Sequence, residues 1–260
     1  MNKNTMTMNP SAVLSGTVFI ATVTVIHLVY EGVIRPAANA LVSAQGAAAA
    51  NDFWVVVKDL EQQAAISLGF FCIFLMLYKY IRLINEEPFY TQDFLPEHKY
   101  DKTMPLDVDA ALAELEGSQY RDNSAIETWI NCIQRYKNTS NVQHASDAIV
   151  SSVDNLSMQL ESGNSMIRYF IWAIPSIGFV GTVRGIGGAL GKAEEAVSGD
   201  ISGMVDKLGM AFNSTLVSLL VSLVLMLFLH MLNKRQDEMV IRTKKSCEMH
   251  LLTHLHNRSQ

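Results

Sequence analysis

Charged residues are scarce in this chain of 260 residues, since Asp, Glu, Lys and Arg together make up 17% of it and hydrophobic residues make up 49%. A typical soluble domain carries about 25% charged residues. The scarcity is also local, because the apolar stretches 166–190 and 211–232 contain no Asp or Glu. An ordinary soluble protein is therefore disfavoured, and lipid becomes the expected surroundings of much of the chain.

Cysteine is also rare, and its three positions suggest no disulfide framework. Cys72 falls in an apolar segment, whereas Cys132 and Cys247 fall in segments that we expect to be cytoplasmic, where disulfides rarely persist. We expect reduced thiols. Three histidines between 250 and 256 could be interpreted as a metal cluster, but they lack nearby Cys or carboxylate ligands, so a solvated helical tail and no metal site are expected.

Constellations typical of enzymes are missing from the apolar segments. None of them contains a His-Glu-x-x-His pattern, paired aspartates or a Ser/His arrangement, which are the groups that nucleophilic or metal-assisted chemistry requires. The sequence therefore predicts no enzyme activity, no cofactor and no nucleic-acid partner.

Four apolar segments have the length of about 20 residues that a bilayer requires. They lie at 11–30, 64–84, 166–190 and 211–232. The first segment is expected to be a retained helix, because Glu31 and Arg35 separate it from the small residues that could form a cleavage site. The predicted fold class is an all-α polytopic membrane protein with about four transmembrane helices.

The distribution of Lys and Arg predicts the orientation. Few of them lie in 31–63 and 191–210, whereas 85–165 and the segment after 232 are richer. The positive-inside rule therefore places both termini and 85–165 in the cytoplasm. The expected divisions are 1–84 with two spans, a cytoplasmic helical segment 85–165, a second pair of spans 166–232 and a cytoplasmic helical tail 233–260.

Helical patterns occupy much of the cytoplasmic segment. Breaks are expected at Pro88, Pro96 and Pro105, and an apolar face recurs at helical spacing across 142–160. No proline separates 142–160 from the third span, and neither Gly nor Pro separates the fourth span from 233–257. We expect cytoplasmic helical extensions of the last two spans, packed in a bundle.

Small residues line one face of the third span. At 100° per residue, Gly178, Thr182 and Gly185 share a narrow face, with Gly181 and Gly188 beside it. Such a face lets another helix approach closely. Pro175 interrupts the hydrogen-bond ladder of the same span, which predicts either a point of flexure or a static kink whose freed carbonyl is satisfied by a neighbour.

A hydroxyl stripe follows the fourth span. Ser214, Ser218 and Ser222 repeat every four residues, and Thr215 adjoins them. Together with Thr182 they are candidates for lining an ion path. The alternative is ordinary helix packing, in which hydroxyls bond to backbone carbonyls.

Proton relays through membranes normally use Asp, Glu or His. His27 and His230 are the candidates within the four spans, and His230 lies near the predicted cytoplasmic boundary. If the chain forms a proton path, the titrating carboxylate is therefore expected from a partner subunit.

One motif of the third span resembles a known family. It reads Pro175-x-x-Gly178-x-x-Gly181-Thr182-Val183-x-Gly185-Ile186 and is followed, after a short outer loop, by the Ser- and Thr-containing last span. This pattern, over about 165–232, resembles the MotA/TolQ/ExbB proton-channel family. The four spans are similar to the MotA arrangement, whereas the short connection and the residues of the motif are more similar to TolQ and ExbB. The branch of the family is therefore not assigned.

The resemblance implies that the pair of spans 166–232 is channel-forming and that the chain lies in a bacterial inner membrane. It also implies a homopentameric ring that surrounds the membrane helices of two copies of a single-span partner. The partner's membrane Asp would accept H⁺ or Na⁺, and Thr182 and Thr215 match the family's pore-side threonines. Ion flow would then drive mechanical work. A non-conducting scaffold of a secretion or assembly complex is the alternative, because it would use the same glycines for packing.

The sequence departs from the family's pattern at several positions. Arg184 stands where an uncharged residue is common, and we expect this possible outer charge site to be neutralised by Glu194, Glu195 or the partner. Leu216 and Ser218 replace smaller residues, and a later proline of the last span is missing. These differences leave the ion and the load that the protein drives undetermined.

Overall fold

A computed structural model describes residues 9–90, 94, 107–118, 121 and 123–255. Helices dominate these residues and no strand occurs among them, which confirms the all-α fold class. The breaks expected at Pro96 and Pro105 lie outside the described residues, as does His256.

Ten α-helices follow one another in the described residues. They are α1 Ala12–Val29, α2 Arg35–Gln45, α3 Phe53–Val56, α4 Leu60–Glu86, α5 Val108–Gly117, α6 Ser124–Thr139, α7 Val142–Gly163, α8 Ser165–Leu190, α9 Ala193–Val197 and α10 Ser202–Ser246. A π-helical turn joins α1 to α2, and short 3₁₀ or π turns follow α2, α4 and α10.

Four of the helical stretches are long and apolar enough to cross a membrane: Ala12–Gln45, Leu60–Tyr90, Val142–Leu190 and Ser202–Leu251. Each coincides with one of the four predicted spans or extends beyond it, to within one residue at the start of the first, which confirms the polytopic membrane fold. The helix α10 runs for 45 residues because no Gly or Pro occurs between Met210 and its end. The third stretch breaks between α7 and α8, where Asn164 adopts a C-cap position.

The chain divides into two compact units, and one of them comprises Pro10–Leu77 and Ser165–His230. In this unit Phe71 on α4 makes edge-on ring contacts with Phe19 on α1 and Phe170 on α8, at centroid distances of 5.1 and 5.7 Å. A Cβ placed on Gly69 would lie 2.9 Å from Val221 on α10. Aromatic contacts and the missing side chain of Gly69 therefore bring the spans together.

The other unit comprises Asn9, Tyr78–Asn164 and the chain from Met231 onward, in its described part. The hydrophobic core of this unit is formed by α5, α6 and α7 with the residues after α10, and it includes Trp129, Ile133, Ile149 and Leu251. Ser140, in the left-handed region at φ 50°, ends α6 and lets α7 fold back on it. The expected helical bundle, including the tail, is present.

Buried polar contacts hold the end of α7 in this unit. The Asn164 side-chain Nδ2 donates to Gln236 Oε1 at 2.6 Å and to Asn233 Oδ1 at 3.0 Å. The Lys79 ammonium donates to the Gly163 carbonyl at 2.9 Å. Lys79 thereby satisfies a carbonyl that the break between two successive helices would otherwise leave unpaired.

Candidate functional site

The glycine face of α8 packs directly against α10. Gly178, Gly181 and Gly185 are buried, and a Cβ on Gly185 would lie 2.7 Å from the Ala211 Cβ. A Cβ on Gly178 would overlap the Ser218 side chain, and one on Gly181 would overlap Ser214. Only glycine fits these three positions at this helix separation.

The fourth predicted glycine of this face, Gly188, lies at the edge of the contact. A Cβ on Gly188 would lie 3.3 Å from the Lys207 Cδ atom. The end of a long lysine side chain can move aside, so Gly188 is less restricted than the three buried glycines.

The two candidate threonines meet at this contact. The Thr182 and Thr215 hydroxyls are hydrogen-bonded to each other. Thr182 Oγ1 also lies 3.2 Å from the Gly178 carbonyl and 3.1 Å from the Ala211 carbonyl, and Thr215 Oγ1 lies 3.3 Å from the Gly178 carbonyl. The structure therefore gathers two hydroxyls and two carbonyls from both helices at one level of the spans.

The three candidate serines are buried between the helices. Ser214, Ser218 and Ser222 are each exposed by 3% or less. The Ser218 hydroxyl donates to the Thr215 carbonyl at 3.0 Å, and Ser214 Oγ has no hydrogen-bond partner among the described residues. In this chain the serines pack α10 against α8, and their place on an ion path stays a prediction.

Pro175 lies within α8 without ending it. Proline has no N–H to donate to the carbonyl four residues earlier, which is that of Ile171. The Ser222 hydroxyl donates to the Ile171 carbonyl at 3.0 Å. A neighbouring helix thus satisfies the carbonyl that the proline frees.

Arg184 has a partner that the sequence did not indicate. Its Nη2 atom lies 2.8 Å from Oε2 of Glu61, in the first turn of α4, and the Glu61 side chain is 7% exposed. The expectation that Glu194 or Glu195 would neutralise Arg184 is wrong, because Arg184 pairs with Glu61, and Glu195 pairs with Lys192 at 2.6 Å in the adjoining loop. Neutralisation by the partner subunit, the third expectation, stays a prediction. A single sequence shows no link between residues 61 and 184, since contact between two helices far apart in the chain has no local pattern.

A second set of polar contacts surrounds Gln63, which lies two residues after Glu61 on α4. Its Nε2 atom lies 3.1 Å from the His27 Nδ1 atom, and its Oε1 atom accepts from Arg35 Nη2 at 3.1 Å. Arg35 also pairs with Glu31. The candidate titrating histidine His27 is thereby engaged with an amide on α4. The other candidate, His230, is exposed near the middle of α10.

Neither a metal site nor a disulfide occurs in the described residues. They contain no group of three or more His, Cys, Asp or Glu side chains that could hold a metal ion. All three cysteines are free thiols and buried. Burial raises the pKa of Cys132 to about 12, so this thiol is protonated and unreactive at neutral pH.

The fold and the site define a multi-pass membrane protein in which two spans contact each other through glycines and share a hydroxyl cluster. Residues 121–245 match the model of the MotA/TolQ/ExbB proton channel family. The matched part of the chain runs from the bundle to the end of α10 and includes both threonines, and the resemblance predicted from the motif is confirmed. Comparisons with curated proteins and with solved structures gave no match.

Proposed function

We propose that the chain is the pore-forming ring subunit of a stator driven by the ion-motive force, with protons as the first candidate ion and sodium as the second. With a single-span partner of the MotB, TolR or ExbD kind, it converts ion flow into mechanical work. The match of residues 121–245 to a proton channel family supports the transport of ions. The proposal adds to this match the path of the ion, the single-span partner and the motor action.

The observation that carries the proposal is the hydroxyl cluster of Thr182 and Thr215. Two hydroxyls and the carbonyls of Gly178 and Ala211 converge between α8 and α10, and such groups can replace part of an ion's hydration shell. The two spans that supply them contain no Asp or Glu in 166–190 and 211–232. A membrane Asp of the partner, placed beside these threonines, supplies the titrating group.

A ring of subunits accounts for the apolar surface that the two spans expose. Trp172 and Val183 on α8 are 72% and 73% exposed, and Phe212 and Leu223 on α10 are 66% and 65% exposed. Lipid or other helices must cover such surfaces in a membrane. A homopentamer around two partner helices covers part of this surface, and the bilayer covers the rest.

The orientation of the chain in the membrane is part of the same proposal. Both termini and the helical bundle lie in the cytoplasm, and the loop that contains α9 faces the other side of a bacterial inner membrane. The excess of Lys and Arg in 85–165 and after 232 supports this orientation.

The test is the flux of protons and of sodium into vesicles that contain the full chain with its single-span partner. Thr182→Val keeps the side-chain volume and removes the hydroxyl, so it should lower the flux. The partner's Asp changed to Asn should abolish it. The matched control is Thr17→Val, because Thr17 is exposed on α1 and bonds only within its own helix, to the Val13 carbonyl at 2.9 Å.

Flux that requires the partner and falls with Thr182→Val, while Thr17→Val conducts like the wild type, would support the proposal. An assembled wild-type complex that carries neither ion would contradict it. That result would favour the non-conducting scaffold, for which the buried serines and glycines serve packing alone.

A further inference from the structure

The ion pair of Glu61 and Arg184 is unusual because its carboxylate is buried and its guanidinium is not. The Glu61 side chain is 7% exposed, whereas that of Arg184 is 51% exposed. The same Arg184 nitrogen lies 3.6 Å from the Met210 sulfur on α10. Arg184 therefore stands where α8 and α10 meet, and Glu61 reaches it from α4.

The pair lies at the level of the hydroxyl cluster along α8, because Glu61 packs against Gly181, the residue before Thr182. Arg184 follows Thr182 by two residues, which is about 3 Å along the axis of α8. Ionisable side chains at such positions in a span are costly, and they commonly mark ion pathways. An unpaired arginine here would repel any cation that approaches the threonines.

The packing of α8 makes room for the carboxylate. A Cβ placed on Gly181 would lie 2.9 Å from the Glu61 Cγ atom and would also overlap Ser214, so the missing side chain at 181 leaves room for both residues. Glu61 also lies in the first turn of α4, where the partial positive charge of a helix N-terminus stabilises an acidic side chain. The position of the Glu61 carboxylate is therefore determined by both α4 and α8.

The surrounding charges depend on Glu61 for their balance. The charges of Arg184, Lys207 and Lys58 act on the neighbouring Asp59, as does that of Glu61. Removal of the Glu61 charge would leave Arg184 without the acidic partner that it has here.

We propose that Glu61 is a specificity-determining residue for ion entry, which neutralises Arg184 beside the Thr182 and Thr215 hydroxyls and so admits cations to them. This inference rests on the proposed function. It assigns to this chain a carboxylate that acts on the ion path before the partner's Asp is reached.

The test uses vesicles that contain the full chain with its single-span partner, a pH-sensitive dye to follow protons, and three variants. Glu61→Gln keeps the shape and removes the charge, so proton flux should fall about tenfold, the low end of electrostatic effects on ion arrival. Glu61→Asp keeps the charge and should retain more flux than Glu61→Gln. The double variant Glu61→Gln with Arg184→Gln removes both charges and should restore the flux.

The dependence of the flux on salt concentration distinguishes an electrostatic role of Glu61 from a role in packing. Choline chloride from about 10 mM to about 1 M shortens the screening length from roughly 30 Å to roughly 3 Å. The flux lost in Glu61→Gln should recover as this salt rises. The matched control is Glu195→Gln, which removes the acidic partner of an exposed pair with Lys192 and should conduct like the wild type throughout.

Two results would overturn the inference alone while the wild type conducts. One is a Glu61→Gln variant with wild-type flux. The other is a loss of flux that neither Arg184→Gln nor salt reverses, which would assign Glu61 to packing. A wild-type complex that carries no ions would instead overturn the proposed function, and this inference with it.

Discussion

The hydroxyl of Ser222 donates to the carbonyl of Ile171 at 3.0 Å, and this is the carbonyl that Pro175 leaves without an N–H donor. Ser222 is 3% exposed and reaches across from α10. A proline in one span is thus matched by a serine in another. This bond ties the part of α8 around Pro175 to the contact between α8 and α10.

Ser222→Ala should destabilise the folded chain by about 1 kcal/mol, because it leaves a buried carbonyl unpaired in an apolar span. The measurement is the free energy of unfolding in detergent micelles, from titration with a denaturing detergent. In a Pro175→Ala background the restored amide can donate to Ile171, so the same serine change should cost less.

Ser176→Ala is the matched control for this experiment. Ser176 is exposed on α8, and its hydroxyl bonds only within its own helix, to the Trp172 carbonyl at 3.3 Å. Its loss should change the free energy of unfolding by no more than a few tenths of a kcal/mol. Equal costs for Ser222→Ala with and without Pro175 would show that the serine does not serve the freed carbonyl.

The spans and their glycine face could be predicted from sequence because both depend on local regularities. Apolar length identifies a span, and the 100° helical step places Gly178 and Gly185 on one side. The pairing of Thr182 with Thr215 could be expected only through the family resemblance, since nothing in the periodicity of either helix fixes the register between them.

Other parts of the site needed the structure. Glu61 lies at the start of α4, where it resembles an ordinary residue of a first helical turn, and its contact with Arg184 depends on how two distant helices pack. The serines of α10 carry the same pattern whether they line a path or fill a helix contact. Their burial against Gly178 and Gly181 becomes visible only when both helices are placed.

Cys132 provides a test of the helical bundle that is independent of ion transport. Burial raises the pKa of this thiol to about 12, compared with about 8.5 for a free cysteine. Because the thiolate is the reactive form, alkylation of native Cys132 should be at least a hundredfold slower than in the denatured chain at pH 8. Its rate should continue to rise with pH above 9, where a free thiol reaches its plateau. Peptide mass spectrometry after timed labelling measures both rates.

A cysteine placed at Ser162, which is exposed on α7, is the control for reagent access and should label quickly in the native protein. Similar rates at Cys132 and at the Ser162→Cys thiol would show that the core of Trp129, Ile133 and Leu251 is open in the membrane-bound chain.

The closest approach of α8 and α10 can be tested with two glycines of one helix. A Cβ on Gly185 would lie 2.7 Å from the Ala211 Cβ and 2.8 Å from the Lys207 carbonyl oxygen, whereas a Cβ on Gly187 would meet nothing within 4 Å. Gly185→Ala should therefore destabilise the chain by about 1–3 kcal/mol through overpacking against backbone that cannot yield. Gly187→Ala should be neutral or stabilising by up to about 1 kcal/mol, since alanine is the better helix former. Unfolding in micelles measures both variants, and a Gly185→Ala chain as stable as Gly187→Ala would mean that the two helices stand further apart than this contact requires.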